Sequence, residues 1–90
     1  MTAPAYRIEV APRAVRELRA LPQAVRRRVG RRILALARDP RPYGSRKLEG
    51  MEDLYRLRVG DYRVVYRIED GVLLVLIVRV RHRRDAYRGV

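Results

Sequence analysis

Leu54-Tyr55-Arg56-Leu57-Arg58-Val59-Gly60-Asp61-Tyr62-Arg63-Val64-Val65-Tyr66-Arg67-Ile68 alternates apolar and basic side chains on either side of a Gly-Asp pair. Alternation of this kind marks strands with one buried face, and a two-residue loop containing glycine marks a tight hairpin. With Gly60-Asp61 as the loop, Val59 stands opposite Tyr62 and the pleat assigns every other side chain to a face. Tyr55, Leu57, Val59, Tyr62, Val64, Tyr66 and Ile68 then share one face, which reads as core. Arg56, Arg58, Arg63 and Arg67 share the other, with Arg58 directly opposite Arg63. Like charges paired across strands are destabilising, so a face that collects them is suited to a polyanion.

The flanking sequence extends this hairpin both ways. Downstream, Val72-Leu73-Leu74-Val75-Leu76-Ile77-Val78-Arg79-Val80 reads as a third strand, apolar on both faces at first, as a central strand is. Glu69-Asp70-Gly71 fits a three-residue loop with glycine in the left-handed position. Ile68 then faces Val72, and the core face continues through Leu74, Leu76, Val78 and Val80. The arginine face continues through Leu73, Val75 and Ile77 to Arg79 and Arg81. A two-residue Asp70-Gly71 loop is disfavoured because it would bury Arg79. Upstream, Tyr6-Arg7-Ile8-Glu9-Val10 reads as a short strand. Pro12 suits a first helical position, and Val15, Leu18 and Leu21 form one stripe. Pro22 restarts the chain, and Val25, Val29, Ile33, Leu36 and Ala37 recur at helical spacing in a second helix. That helix should end before Asp39-Pro40, since a residue preceding proline avoids the helical region. Arg41-Pro42-Tyr43-Gly44-Ser45 is expected to be a loop. The expected architecture is α+β in the order β-α-α-β-β-β. A two-helix hairpin lies across one face of an antiparallel three-stranded meander, and residues 1–90 make a single domain.

Ninety residues carry 22 Lys and Arg against 10 Asp and Glu, a formal charge of +12. Nucleic acid, an anionic membrane surface or an acidic protein are the partners such a field attracts. Lys47 is the sole lysine, and arginine binds phosphate through a planar, permanently charged fork. There is no cysteine, which excludes disulfides, thiol catalysis and cysteine zinc sites. One histidine and scattered carboxylates offer no metal-ligand spacing, and no glycine-rich phosphate loop is present, so neither metal nor cofactor is expected. The longest apolar run, Val72 to Val78, is far short of a membrane span, and Met1-Thr2-Ala3-Pro4 lacks an apolar signal region. A soluble cytoplasmic protein is the expectation.

His82 lies at a strand end beside several arginines and a tyrosine, where functional groups collect. On the second helix Arg26, Arg27, Arg28, Arg31 and Arg32 form a polar side that reads either as solvated surface or as a phosphate-backbone contact. Glu52-Asp53 precedes a strand and reads as a solvated turn. With no Trp or Phe in the chain, Tyr43, Tyr87 or another exposed tyrosine must supply any base stacking.

Three segments carry a family resemblance: Lys47-Leu48-x-Gly50-Met51-x-Asp53-Leu54-Tyr55-Arg56-Leu57-Arg58, Gly60-Asp61-Tyr62-Arg63-Val64-Val65-Tyr66, and Val80-Arg81-His82-Arg83-Arg84-Asp85-Ala86-Tyr87. Together they resemble the RelE branch of the RelE/ParE toxins over nearly the whole chain. The resemblance implies a type II toxin that cuts messenger RNA in the ribosomal A site. It also implies an acidic antitoxin partner, contact with the ribosome, and operator DNA bound only through the antitoxin complex. Carried across by position, the family's catalytic set falls on Arg56, Arg58, Arg63, Arg83 and Tyr87. Lys47, Arg81, Arg84, Arg27, Arg28 and Arg31 are the expected contacts to RNA and ribosome. Family members with lysine at the two second-strand positions have a group able to act as a base; Arg56 and Arg58 stay protonated. His82 is therefore the candidate base, as histidine is the side chain best suited to that role, unless the ribosome supplies one. Two alternatives stand beside this reading: a ParE-like inhibitor of DNA gyrase without nuclease activity, and a decayed toxin that only binds.

Overall fold

Gly60 takes φ +60°, and the turn it makes with Asp61 sets Val59 opposite Tyr62 and Arg58 opposite Arg63. That hairpin is the middle of the sheet in a computed structural model describing residues 5–51 and 53–84. The elements run β1 (Arg7–Val10), α1 (Pro12–Arg19), α2 (Gln23–Ala35), β2 (Ser45–Lys47), β3 (Leu54–Val59), β4 (Tyr62–Glu69), a 3₁₀ turn (Asp70–Val72) and β5 (Leu74–His82). They form one five-stranded sheet in the order β1-β5-β4-β3-β2, with β1 parallel to β5 and the other pairs antiparallel.

The expected α+β class, the helical pair and the C-terminal meander are all present. β2 was not foreseen. Its three residues, Ser45 to Lys47, pair with Leu57 to Tyr55, inside and just beyond what reads as a loop. A strand so short has too few residues to show a period. α1 begins at Pro12 after the extended Ala11, and α2 begins after the extended Pro22; proline at or before a first turn loses no helical hydrogen bond. α2 stops at Ala35, short of Asp39, and its end tightens: Leu36 N–H donates to Ile33 O at 3.0 Å and Ala37 N–H to Leu34 O at 3.1 Å.

Both helices pack on the tyrosine-rich face. Ala14, Val29, Ile33 and Leu36 join Leu57, Val59, Val64, Tyr66, Ile68, Val75, Ile77 and Val80 in one buried cluster, with Tyr55 and Tyr62 at its margin. Each fully buried aliphatic side chain contributes about 1.5–3 kcal/mol to holding helices and sheet together. Tyr66 is completely buried; its hydroxyl donates to Pro40 O at 2.8 Å and its ring stacks on Tyr55 at 5.9 Å. Burial pushes that hydroxyl up to about 12. Arg41 closes the same end of the sheet, donating to the Tyr55 hydroxyl and to both Asp70 oxygens, while the Tyr6 hydroxyl donates to Asp70 at 2.6 Å.

The β4–β5 connection corrects the three-residue loop. Glu69 pairs with Leu74, so four residues intervene, and Leu73 closes the turn at φ +52°. Ile68 therefore faces Val75 rather than Val72, and the core residues are Val75 and Ile77 instead of Leu74 and Leu76. A bulge then skips Val78: Tyr66 pairs with Ile77, and Val65 with Arg79. The extra residue flips the alternation back, as bulges do. Val80 rejoins the core, and Arg79 and Arg81 take the arginine side of the register, where they were expected. Arg79 is nonetheless buried, at 4% exposure, the outcome that had argued against a shorter loop. Glu17 makes that burial tolerable.

Candidate nucleic-acid interface

The register lines up two cross-strand rows on the face opposite the helices. Arg46, Arg56, Val65 and Arg79 form one; Arg58, Arg63 and Arg81 form the next. Neighbouring strands lie about 4.8 Å apart, so six arginines originate from a patch only two rows deep. Val65 is fully buried yet outside the apolar core, a floor between the flanking Arg56 and Arg79. Arg67 stands one row further along, exposed.

Arg63 occupies the centre of its row. It is only 9% exposed, its Nε is buried without a hydrogen-bond partner among the described residues, and one Nη donates weakly to Tyr62 O at 3.4 Å. A buried unsatisfied donor is costly in isolation and is well matched to an anionic oxygen. Such groups mark positions shaped for something other than stability.

Glu17 of α1 serves the far end of both rows. β1 pairs with β5 only as far as Ile77, which leaves the next stretch of β5 without a strand on that side among the described residues. α1 takes its place: a Glu17 oxygen accepts from Val80 N–H at 2.8 Å, as a strand carbonyl would. The same carboxylate accepts from Arg79 Nε at 3.1 Å, lies 3.0 Å from an Arg79 Nη, and stands 3.9 Å from Arg81 Nε. Arg79 is thereby buried with a partner, and Arg81 is steered toward the β1 side of the array.

Of the expected site residues, Arg56, Arg58, Arg63 and Arg81 converge on this face. Arg83 follows the strand end, exposed, with its N–H donating to Asp61 O at 2.7 Å and its guanidinium 4.0 Å from the Asp61 carboxylate. His82 pairs with Tyr62 and so belongs to the opposite face, where its ring meets Tyr62 edge-on at 5.3 Å and Nδ1 accepts from Arg84 N–H at 3.3 Å. Lys47, opposite Tyr55, is likewise on the helix side of the register. Arg27, Arg28 and Arg31 are exposed on α2, and Arg28 leans over the hairpin turn near Gly60. Arg84 is exposed. Tyr87 lies outside the described residues. Two participants went unnoticed in the sequence, Arg46 directly opposite Arg56 and Glu17, while Arg79 was expected on this face but not buried against a carboxylate. The alternation signal reaches Arg46 only once β2 is known to be a strand.

Comparison with known proteins places this geometry. The family described as "ParE toxin of type II toxin-antitoxin system, parDE" matches residues 8–87. The chain is 33% identical over 87 residues to the mRNA interferase toxin RelE of Escherichia coli strain K12, covering 92% of this chain and 90% of that one. It is 32% identical over 84 residues to the toxin RelE of Mycobacterium tuberculosis, covering 92% and 87%. Among solved structures, the archaeal RelE–RelB complex of Pyrococcus horikoshii OT3 superposes with TM-score 0.79 at 34% identity, over 88% of this chain and 96% of that one. The toxin–antitoxin complex RelBE2 of Mycobacterium tuberculosis follows at TM-score 0.76 and 31% identity, over 87% and 98%. A basic sheet face carried on this fold, at these identities and over nearly the whole chain, makes the protein a RelE-like member of the RelE/ParE superfamily of type II toxins.

Proposed function

We propose that the protein is an mRNA endoribonuclease acting at the ribosome, with the arginine array stabilising the phosphate that is cut. The observation that carries this reading is Arg63: a guanidinium nine-tenths buried, centred among arginines, with an Nε that has no acceptor among the described residues. In the proposed reaction the ribose 2′ oxygen forms a bond to the adjacent phosphorus as its proton leaves. The phosphorus–O5′ bond breaks, and the departing 5′ oxygen takes up a proton. A 2′,3′-cyclic phosphate and a 5′ hydroxyl result. Negative charge peaks on the pentacoordinate phosphorane, where preorganised cations are most effective. Arg63 and Arg83 are the proposed phosphate clamps, and Arg56, Arg58 and Arg81 hold the flanking backbone. The array stabilises charge and does not move protons, since guanidinium stays protonated. His82 stands across the sheet from it, so the proton leaves through Tyr87 or the ribosomal surroundings of the RNA. An acidic antitoxin is the proposed neutralising partner, and the charge of +12 supplies its attraction. The proposed setting is the cytoplasm.

The test is 5′-end mapping of mRNA after induction, in wild type and in Arg63→Ala. Wild type should produce new ends within ribosome-bound messages, and Arg63→Ala should lower their yield by about 10²–10³, as loss of one transition-state donor does. Ends that persist in Arg63→Ala would overturn the assignment. Intact mRNA together with blocked supercoiling by purified gyrase would establish the ParE-like alternative.

A further inference from the structure

Beside the array, at the β2 edge of the sheet, lies a groove of about 470 Å³ lined by Arg32, Tyr43, Arg46, Arg56, Leu57 and Arg58. Its origin is the shortness of β2. Pairing with β3 begins at Ser45 opposite Leu57, so among the described residues Arg58 and Val59 have no strand on that side. Gly44, at φ +94°, turns the chain away just before the strand, and Ser45 N–H closes the turn onto Pro42 O at 3.0 Å. The notch that remains is bounded by α2 through Arg32, by the turn through Tyr43 and by the sheet through Arg46, Arg56 and Arg58.

We infer that this groove binds one nucleotide of the RNA strand flanking the phosphate held at Arg63, its base stacked on Tyr43 and its phosphate on Arg32 and Arg46. The inference rests on the nuclease reading and extends its site. Three observations support it. The volume lies within the range of about 300–1,000 Å³ typical of small-molecule pockets, so a single nucleotide fits. Tyr43 is fully exposed, and a tyrosine kept in water beside several guanidinium groups is the pairing that captures an unstacked base and its phosphate. No described carboxylate forms an ion pair with Arg32, Arg46 or Arg58. Continuity decides between RNA and an acidic peptide as occupant. Arg58 lines the groove and also stands directly opposite Arg63, so one strand of phosphates passes from centre to groove without a gap. A peptide carboxylate would use the arginines and leave the tyrosine face without a role.

The experiment measures binding of the full chain to a fluorescent, 2′-O-methylated RNA hexanucleotide, which cannot be cleaved, by anisotropy across a salt titration. Tyr43→Ala should weaken binding about 5- to 150-fold, the contribution of one stacked base, while Tyr43→Phe should retain it. Arg32→Gln and Arg46→Gln should each flatten the dependence of log K on log salt by about 0.7, the single-strand value for one phosphate contact. Wild-type affinity and slope in all three disruptive variants would overturn the inference. So would unchanged RNA binding with lost affinity for an acidic antitoxin segment, which would make the groove a protein-docking site. Should wild type cut no mRNA while Tyr43→Ala still loses RNA binding, the groove stands and the cleavage reading falls. Should Arg63→Ala abolish cutting while the groove variants bind normally, the reverse holds.

Discussion

Replacing Glu17 with glutamine keeps the shape of the side chain and removes one charge, and the structure says what that charge is for. Arg79 has 5% of its side chain exposed, and its guanidinium lies 3.0 Å from the Glu17 carboxylate. Removing one member of a buried ion pair costs about 3–5 kcal/mol, because the remaining charge was desolvated against the one removed. Glu17 is 20% exposed, so water partly screens the loss, and the glutamine oxygen can still accept from Val80 N–H. The expected destabilisation is therefore about 2–3 kcal/mol. For a domain of this size it corresponds to a fall in melting temperature of about 10–20 °C. Urea denaturation read by circular dichroism measures it directly. Glu9→Gln is the control: it raises net charge equally but breaks a surface pair, 63% and 50% exposed, and should cost under about 1 kcal/mol. Adding Arg79→Met to Glu17→Gln should recover most of the loss, since replacing both partners of a buried pair is often neutral. If Glu17→Gln costs no more than Glu9→Gln, general charge repulsion explains both, and the account of Arg79 burial fails.

Three further outcomes follow from the structure. Arg41 and then Tyr6 hydrogen-bond Asp70 and hold its carboxyl below the usual carboxylate range. A depressed folded value means the stabilisation is complete above about pH 4 and fades as pH falls through the folded value. The denaturation midpoint of Asp70→Asn should thus lie below wild type at neutral pH and converge with it in acid, less markedly in high salt; parallel curves would refute this. Tyr66 has its hydroxyl pushed up from 10.0 to about 12 by burial, so the folded state prefers the neutral phenol. Its contribution is complete below about pH 10 and is lost toward pH 12, a loss that a pH series should show in wild type and not in Tyr66→Phe. At neutral pH that variant should cost about 1–2 kcal/mol, because Pro40 O loses a buried donor. Finally, Gly60 at φ +60° should accept asparagine far better than valine, with Gly60→Val less stable by about 1–3 kcal/mol in urea. Equal losses in the two variants would remove the left-handed turn from the account.

The hairpin was legible because nothing distant enters it: a two-residue loop and a period of two assign every side chain from Tyr55 to Ile68. Arg56, Arg58 and Arg63 follow from the same arithmetic, and the family resemblance then gave them a chemical role. β5 was not legible, for a local reason and a remote one. Leu73 adopts a left-handed conformation that composition does not announce, and the bulge at Val78 leaves no mark in an unbroken apolar run. Arg79 looked unfit for burial because its counterion sits 62 residues away in the chain, on a helix whose apolar stripe drew all the attention. Arg46 was assigned to no element, since a three-residue strand shows no period. In each case the missing information was a pairing between segments.

The bulge at Val78 also divides β5 into two stretches that answer to different demands. Leu74 to Ile77 are held by β1 on one side and by the helix-facing core below, so changes there are judged by volume and shape. Arg79 to His82 run past the end of β1 with the alternation reset, so changes there are judged by charge and by reach across the sheet surface. Drift in one stretch need not disturb the other as long as the inserted residue stays. Deleting Val78 would couple them at once, forcing either the arginines inward or the aliphatic side chains out. A single extra residue thus uncouples the charge of the basic surface from the packing of the scaffold beneath it.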